Sequence, residues 1–283
     1  MAELDNIFIG KSSIPSLAIT IILMVAIPVI FFIYWRRKHK EQTRISYLIA
    51  GAIGFLVSAR VLELGVHYFC IIRDNPVSRF INGYTLAYVL YGALMAGIFE
   101  ECGRYIVLSF IMKKNRTREN AVMYGIGHGG IEIITVLIPA MITYLTVAIL
   151  FSSGDIEKAL SSLKITEETV GAALPSIRAA ASFDYAIMAM NVIERLFAML
   201  VHIGFTVVVF YGVVNSRRVY LLLAIFLHAA TDTTPAMYQR GLLSMPLSEL
   251  IFSICTVIVI YIAVKLYRRI PSSRQGDELQ GYR

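Results

Sequence analysis

Charge is scarce in this 283-residue chain: 16% of its residues are Asp, Glu, Lys or Arg, against 57% that are hydrophobic. With a mean hydropathy of +0.69 and repeated apolar stretches near the ~20 residues needed to cross a bilayer, the chain has the signature of a polytopic membrane protein. Cysteine is scarcer still. Cys70, Cys102 and Cys255 are odd in number and share no spacing, so neither a disulfide framework nor a cysteine zinc site is indicated. No internal repeat and no matched pair of broken helices in two halves is visible, which counts against a transporter. The first apolar run also lacks the charge order of a cleaved signal peptide. Glu3 and Asp5 precede it and a basic cluster follows, so it is expected to remain as an anchor.

The fold class expected is all-α, with about seven transmembrane helices in a single integral membrane domain over residues 1–283. The spans run Ile14 to Trp35, Ile45 to Ile72, Tyr84 to Met112, Asn120 to Phe151, Tyr185 to Val214, Val219 to Met237 and Leu247 to Leu266. The net charge of +7 is topological, because basic residues cluster after alternate spans. Arg36, Arg37, Lys38, Lys40 and Arg44 follow the first, Lys113, Lys114, Arg116 and Arg118 the third, Arg217 and Arg218 the fifth, and Lys265, Arg268, Arg269 and Arg274 the seventh. The positive-inside rule then puts the amino terminus outside and the carboxyl terminus in the cytoplasm of a multi-pass cell-membrane protein. It also removes the nucleic-acid reading that a basic balance invites. Residues 152–184 form an external polar loop with two short acidic-fronted helices, the second starting at a Thr166 cap. Residues 271–283 read as a disordered cytoplasmic tail.

Within this apolar frame, ionisable residues at bilayer depth are costly and mark function by default. Glu100, Glu101 and Arg104 lie together in the third span. Arg104 follows Glu100 by four residues and Glu101 by three, so it could pair with either carboxylate. The fourth span opens with Tyr124, His128 and Glu132 among four glycines that permit close helix approach. His128 and Glu132 are one turn apart, and Glu132 is expected to orient His128. His202 lies in the fifth span, and His228 and Asp232 repeat the one-turn spacing in the sixth, with metal-ligand or proton-relay geometry. In the second span, Arg60, Glu63 and His67 share a helical face, which reads as an internal Arg–Glu pair. Glu194 and Arg195 are adjacent in the fifth span.

Depth joins some of these. Counting ~1.5 Å per residue from each cytoplasmic end puts Glu100 and His202 at ~18 Å, His128 at ~12 Å and His228 at ~14 Å, with Arg60 at ~22 Å and Glu194 at ~30 Å. Three histidines, two glutamates and an aspartate from four helices thus fall in one layer, and spans three to six are expected to surround a polar intramembrane cavity.

The series Glu100-Glu101-x-x-Arg104, Tyr124-x-x-x-His128, His202 and His228-x-x-x-Asp232 resembles that of the CAAX-protease and bacteriocin-processing superfamily and the related PrsW intramembrane proteases. It is most similar to the YhfC family of intramembrane metalloproteases. The spacing of Arg104 follows PrsW rather than the CAAX pattern, and Tyr124 stands where Phe is usual. The resemblance implies that Glu100 or Glu101 activates water, while His128, His202, His228 and Asp232 bind a metal, with Zn2+ the candidate, or stabilise the oxyanion. In the related families the first glutamate of the pair is the catalytic one, which implies that Arg104 holds Glu101 and leaves Glu100 to face the histidines.

The chemistry leaves two routes open: a zinc ion that acidifies water, or a desolvated glutamate acting as base with histidine donors. The function expected is intramembrane endopeptidase, cleaving a membrane protein or peptide in the lipid bilayer. A non-catalytic scaffold or chaperone of the same fold, as the Aph subunit of gamma-secretase is to PrsW, and a proton-coupled transporter are the alternatives.

Overall fold

The computed structural model describes residues 7–270, and both the first acidic residues and the expected tail from Pro271 lie outside them. The described residues form ten helices and no strand. In chain order these are α1 (Ser13–Lys38), α2 (Ile45–Ile72), α3 (Pro76–Gly83), α4 (Thr85–Ile106, continued by a π turn over Val107–Ile111), α5 (Arg118–Phe151), α6 (Ile156–Ser162), α7 (Val170–Ser182), α8 (Tyr185–Val214), α9 (Val219–Gln239) and α10 (Met245–Tyr267). Helices dominate because a chain this apolar must satisfy its backbone groups within each segment when no water is at hand.

Six helices, α1, α2, α5, α8, α9 and α10, are long and apolar enough to cross a membrane. The seventh expected span, Tyr84 to Met112, is helical as α4 but falls outside that group. It carries Glu100, Glu101 and Arg104, three ionisable residues that lower its hydropathy and are all buried inside the protein. The protein is a multi-pass, all-α membrane protein.

Two compact units make up the chain: residues up to Ile27 with Ile133–Arg195, and Pro28–Glu132 with Leu196 onward. In the first, Ser13 Oγ donates to the Ala181 carbonyl at 3.1 Å and Ser16 Oγ to that of Phe183 at 3.3 Å, tying the start of α1 to the end of α7. The second half of α5 packs on α7. A π turn over Ile133–Leu137 precedes that half. Pro139 lacks the N–H that an α-helix would use and its ring crowds the carbonyl four residues before it, which accounts for the altered ladder. Residues 152–184 hold two short helices, α6 and α7. Asp155 caps α6 by accepting from the Lys158 N–H at 2.9 Å. The second helix starts later than Thr166, because residues Thr166–Thr169 form a turn closed by the Thr166 N–H on Thr169 Oγ1 at 2.8 Å.

In the second unit, α2 packs along the first half of α5, and α4 and α10 both pack against α9. The α2–α5 contact is backbone to backbone. A Cβ on Gly127 would overlap the Leu48 carbonyl, and one on Gly51 would overlap that of Tyr124, so only glycine permits this approach. The first half of α5 is buried from Glu119 through Gly130, and α8 is buried over most of Ala198–Gly212. These two segments are the walls on which the polar residues are mounted.

Candidate active site

Glu101 and Arg104 are both fully buried on α4, and Glu100 is 7% exposed. Taking a guanidinium out of water is tolerable only with a matched carboxylate. Arg104 Nη1 donates to Glu101 Oε1 at 2.6 Å and to Oε2 at 2.7 Å. The same Glu101 Oε1 lies 2.7 Å from His228 Nδ1 on α9. Glu101 is therefore committed on two sides.

Glu100, about 100° further round the helix, looks elsewhere. Its Oε2 lies 2.8 Å from His128 Nε2 on α5, 3.9 Å from His202 Nδ1 on α8 and 4.0 Å from His228 Nε2. One carboxylate oxygen thus sits within reach of three imidazoles from three helices. The rings of His128 and His202 have centroids 5.1 Å apart, and those of His202 and His228 5.7 Å.

The outer nitrogens of two of these rings meet further carboxylates. His202 Nε2 lies 2.5 Å from Glu132 Oε2, and His228 Nε2 lies 3.4 Å from Asp232 Oδ2. Glu132 was expected to orient His128. It instead reaches across to α8 from the last residue before the π turn of α5, and His128 Nδ1 is left buried without a hydrogen-bond partner among the described residues.

Aromatic side chains enclose the cluster. Phe205 stacks on His228 with centroids 4.7 Å apart and planes at 14°, while Phe55 meets His128 edge-on at 5.1 Å. Sequence reasoning missed both. Phe205 carried one usable signal, its position three residues after His202 on the same face of α8.

A divalent metal can be tested against these donors. Ligand atoms of Glu100, His128 and His202, all buried, lie within 4.8 Å of one another. Two imidazoles and a carboxylate form the donor set of catalytic zinc centres, which leave a fourth position to water or substrate. A carboxylate on the far nitrogen of His202 is the partner that metal-bound imidazoles usually have. The residues fit. The set differs from the expected His128, His202, His228 and Asp232, because His228 has a carboxylate at each nitrogen and Glu100 takes its place in the compact group.

The remaining singled-out residues stand apart. Arg60 is exposed and Glu63 pairs with His67 at 3.1 Å instead, with His67 Nδ1 2.8 Å from the Tyr91 hydroxyl. A π-helical stretch over Leu56–Glu63 widens the turn and takes Arg60 off the face of Glu63. Glu194 and Arg195 pair with each other in the other compact unit.

A family model described as "YhfC intramembrane metalloprotease" matches residues 23–254. The chain is also 31% identical over 264 residues, covering 92% of its length and 98% of the relative's, to a Bacillus subtilis (strain 168) protein described as "Uncharacterized membrane protein YhfC". No solved structure matches.

Proposed function

The chain belongs to the YhfC family, and on that premise we propose that it is an intramembrane endopeptidase that hydrolyses a peptide bond in or near a membrane-embedded segment. The observation that carries this reading is the buried Glu100 Oε2, within 4.0 Å of nitrogens of His128, His202 and His228. Lipid alone gives no reason to gather those groups, since each is costly at bilayer depth.

Hydrolysis needs a base for water and a donor for the oxyanion. Glu100 is the base: it takes the proton of the attacking water and passes it to the leaving amine. Glu101 holds His228 at Nδ1, and Nε2 donates to the oxyanion by exchanging its longer 3.4 Å contact with Asp232 for that bond. Arg104 neutralises Glu101 and is a positioning residue. Glu100, His128 and His202 would hold a divalent ion, with Zn2+ the best match to the donor set. When bound, such an ion lowers the pKa of water and polarises the carbonyl. Of Glu100's two carboxylate oxygens, Oε2 meets the imidazoles, and Oε1 would be the one to take the proton. By the positive-inside rule, the amino terminus is outside and the basic connections are cytoplasmic.

The test is cleavage of a transmembrane peptide by purified protein in detergent, comparing Glu100→Gln and His228→Ala with wild type. Loss of cleavage in both variants with helicity retained is expected. Equal turnover in Glu100→Gln would refute the assignment, and no turnover in any form on a range of peptides would favour a scaffold.

A further inference from the structure

The second unit carries a groove that the hydrolytic site does not use. A hollow of about 330 Å³ opens between the carboxyl-terminal half of α1, the start of α5, the middle of α8 and the end of α10, lined by Phe31, Trp35, Ile126, Ile203, Val207 and Ala263 among others. That volume falls within the ~300–1,000 Å³ of small-molecule sites. Its wall holds aromatic and aliphatic groups and no acidic side chain. The indole N–H of Trp35 donates to the Glu119 carbonyl at 3.0 Å, which fixes the ring in the wall.

A second hollow shares Tyr34 with the first and continues along α1 past Ile30 and Ile33 to Arg37 and Lys38. Both cations are exposed, and among the described residues neither pairs with a carboxylate. Lys38 instead rests over the Tyr34 ring at 5.6 Å. An apolar slot therefore leads directly to two uncompensated positive charges at one membrane surface.

We propose that this groove binds an anionic phospholipid, an acyl chain lying in the apolar hollow and the phosphate on Arg37 and Lys38. Charge complementarity selects that occupant, since basic pockets between membrane helices suit anionic headgroups. A transmembrane segment of substrate is disfavoured by length. The slot spans Ile260 to Tyr267 on α10, about 10 Å of rise, whereas a crossing helix covers ~30 Å. The proposal is independent of whether the Glu100 cluster hydrolyses anything.

Trp35 is the only tryptophan in the chain, so its fluorescence reports on this groove alone. The full-length protein is reconstituted in vesicles containing phosphatidylglycerol or phosphatidylcholine with brominated acyl chains, and quenching of Trp35 is titrated against each. The expected result is preferential quenching by phosphatidylglycerol, by roughly fivefold or more for each cation engaged, abolished in the Arg37→Ala/Lys38→Ala double variant. Circular dichroism verifies that the variant is folded. Equal quenching by both lipids, quenching by neither, or a phosphatidylglycerol preference that survives in the double variant would each overturn the proposal.

Discussion

Two regions of this protein place a histidine and a carboxylate one helical turn apart, and they end differently. On α2, His67 and Glu63 satisfy each other at 3.1 Å, with Tyr91 on the second nitrogen and the His67 side chain 29% exposed. On α5, α8 and α9, the histidines are buried, and three of them converge on one oxygen of Glu100. Local spacing suffices for a pair. A site requires several helices brought close enough that each imidazole meets a group from another chain segment. The glycines of α2 and α5 allow this in the second region. Gly97 does the same for α4 and α9, since a Cβ there would come within 2.9 Å of the Ile225 carbonyl.

The comparison breaks most visibly at Glu100. Glu100→Gln should lower turnover by about 10²- to 10⁴-fold, the usual contribution of a general base, while thermal unfolding in detergent changes little. Next comes stability. Glu101→Gln leaves Arg104 buried with a weaker partner, and loss of one member of a buried ion pair costs about 3–5 kcal/mol. A lowered melting temperature with residual cleavage is expected, and an unchanged melting temperature would show that Arg104 finds a substitute. Glu132→Gln should weaken divalent-metal affinity by about 10- to 100-fold, as removal of a carboxylate behind a ligand histidine does, which equilibrium dialysis would measure. Smallest of all, Glu63→Gln in the α2 region should change stability by no more than ~1 kcal/mol, since that pair is partly exposed, and turnover should be unaltered. A large catalytic loss there would erase the distinction between the two regions.

Much of this was legible in the residues. The helices follow from apolar runs bounded by basic clusters, whereas spacing left Arg104 within reach of Glu100 or Glu101, and the choice of Glu101 rested on the family resemblance. Depth counting grouped Glu100, His128, His202 and His228, because helical rise is nearly constant. What spacing could not give was direction across helices. Glu132 could be assigned to His128 by register, but its reach to His202 depends on how α5 lies against α8 and on a π turn that Pro139 favours but whose effect on direction spacing does not give. The Arg60–Glu63 pair that spacing predicts does not form, because a π stretch in α2 separates the two side chains. Phe205 carried only its position three residues after His202, a weak signal for a phenylalanine in an apolar run until the ring it stacks on is known. The compact donor group likewise exchanged His228 for Glu100, which only interatomic distances could reveal.

The central claim is that Glu100, His128 and His202 form one metal-assisted hydrolytic centre. The most direct test measures metal content and peptide cleavage on the same purified preparation as a chelator is titrated in and Zn2+ is then restored. The account predicts about one divalent ion per chain, cleavage falling in proportion to ion removed and returning with Zn2+, and neither ion nor cleavage in His128→Ala. Full cleavage by the ion-free protein would contradict it.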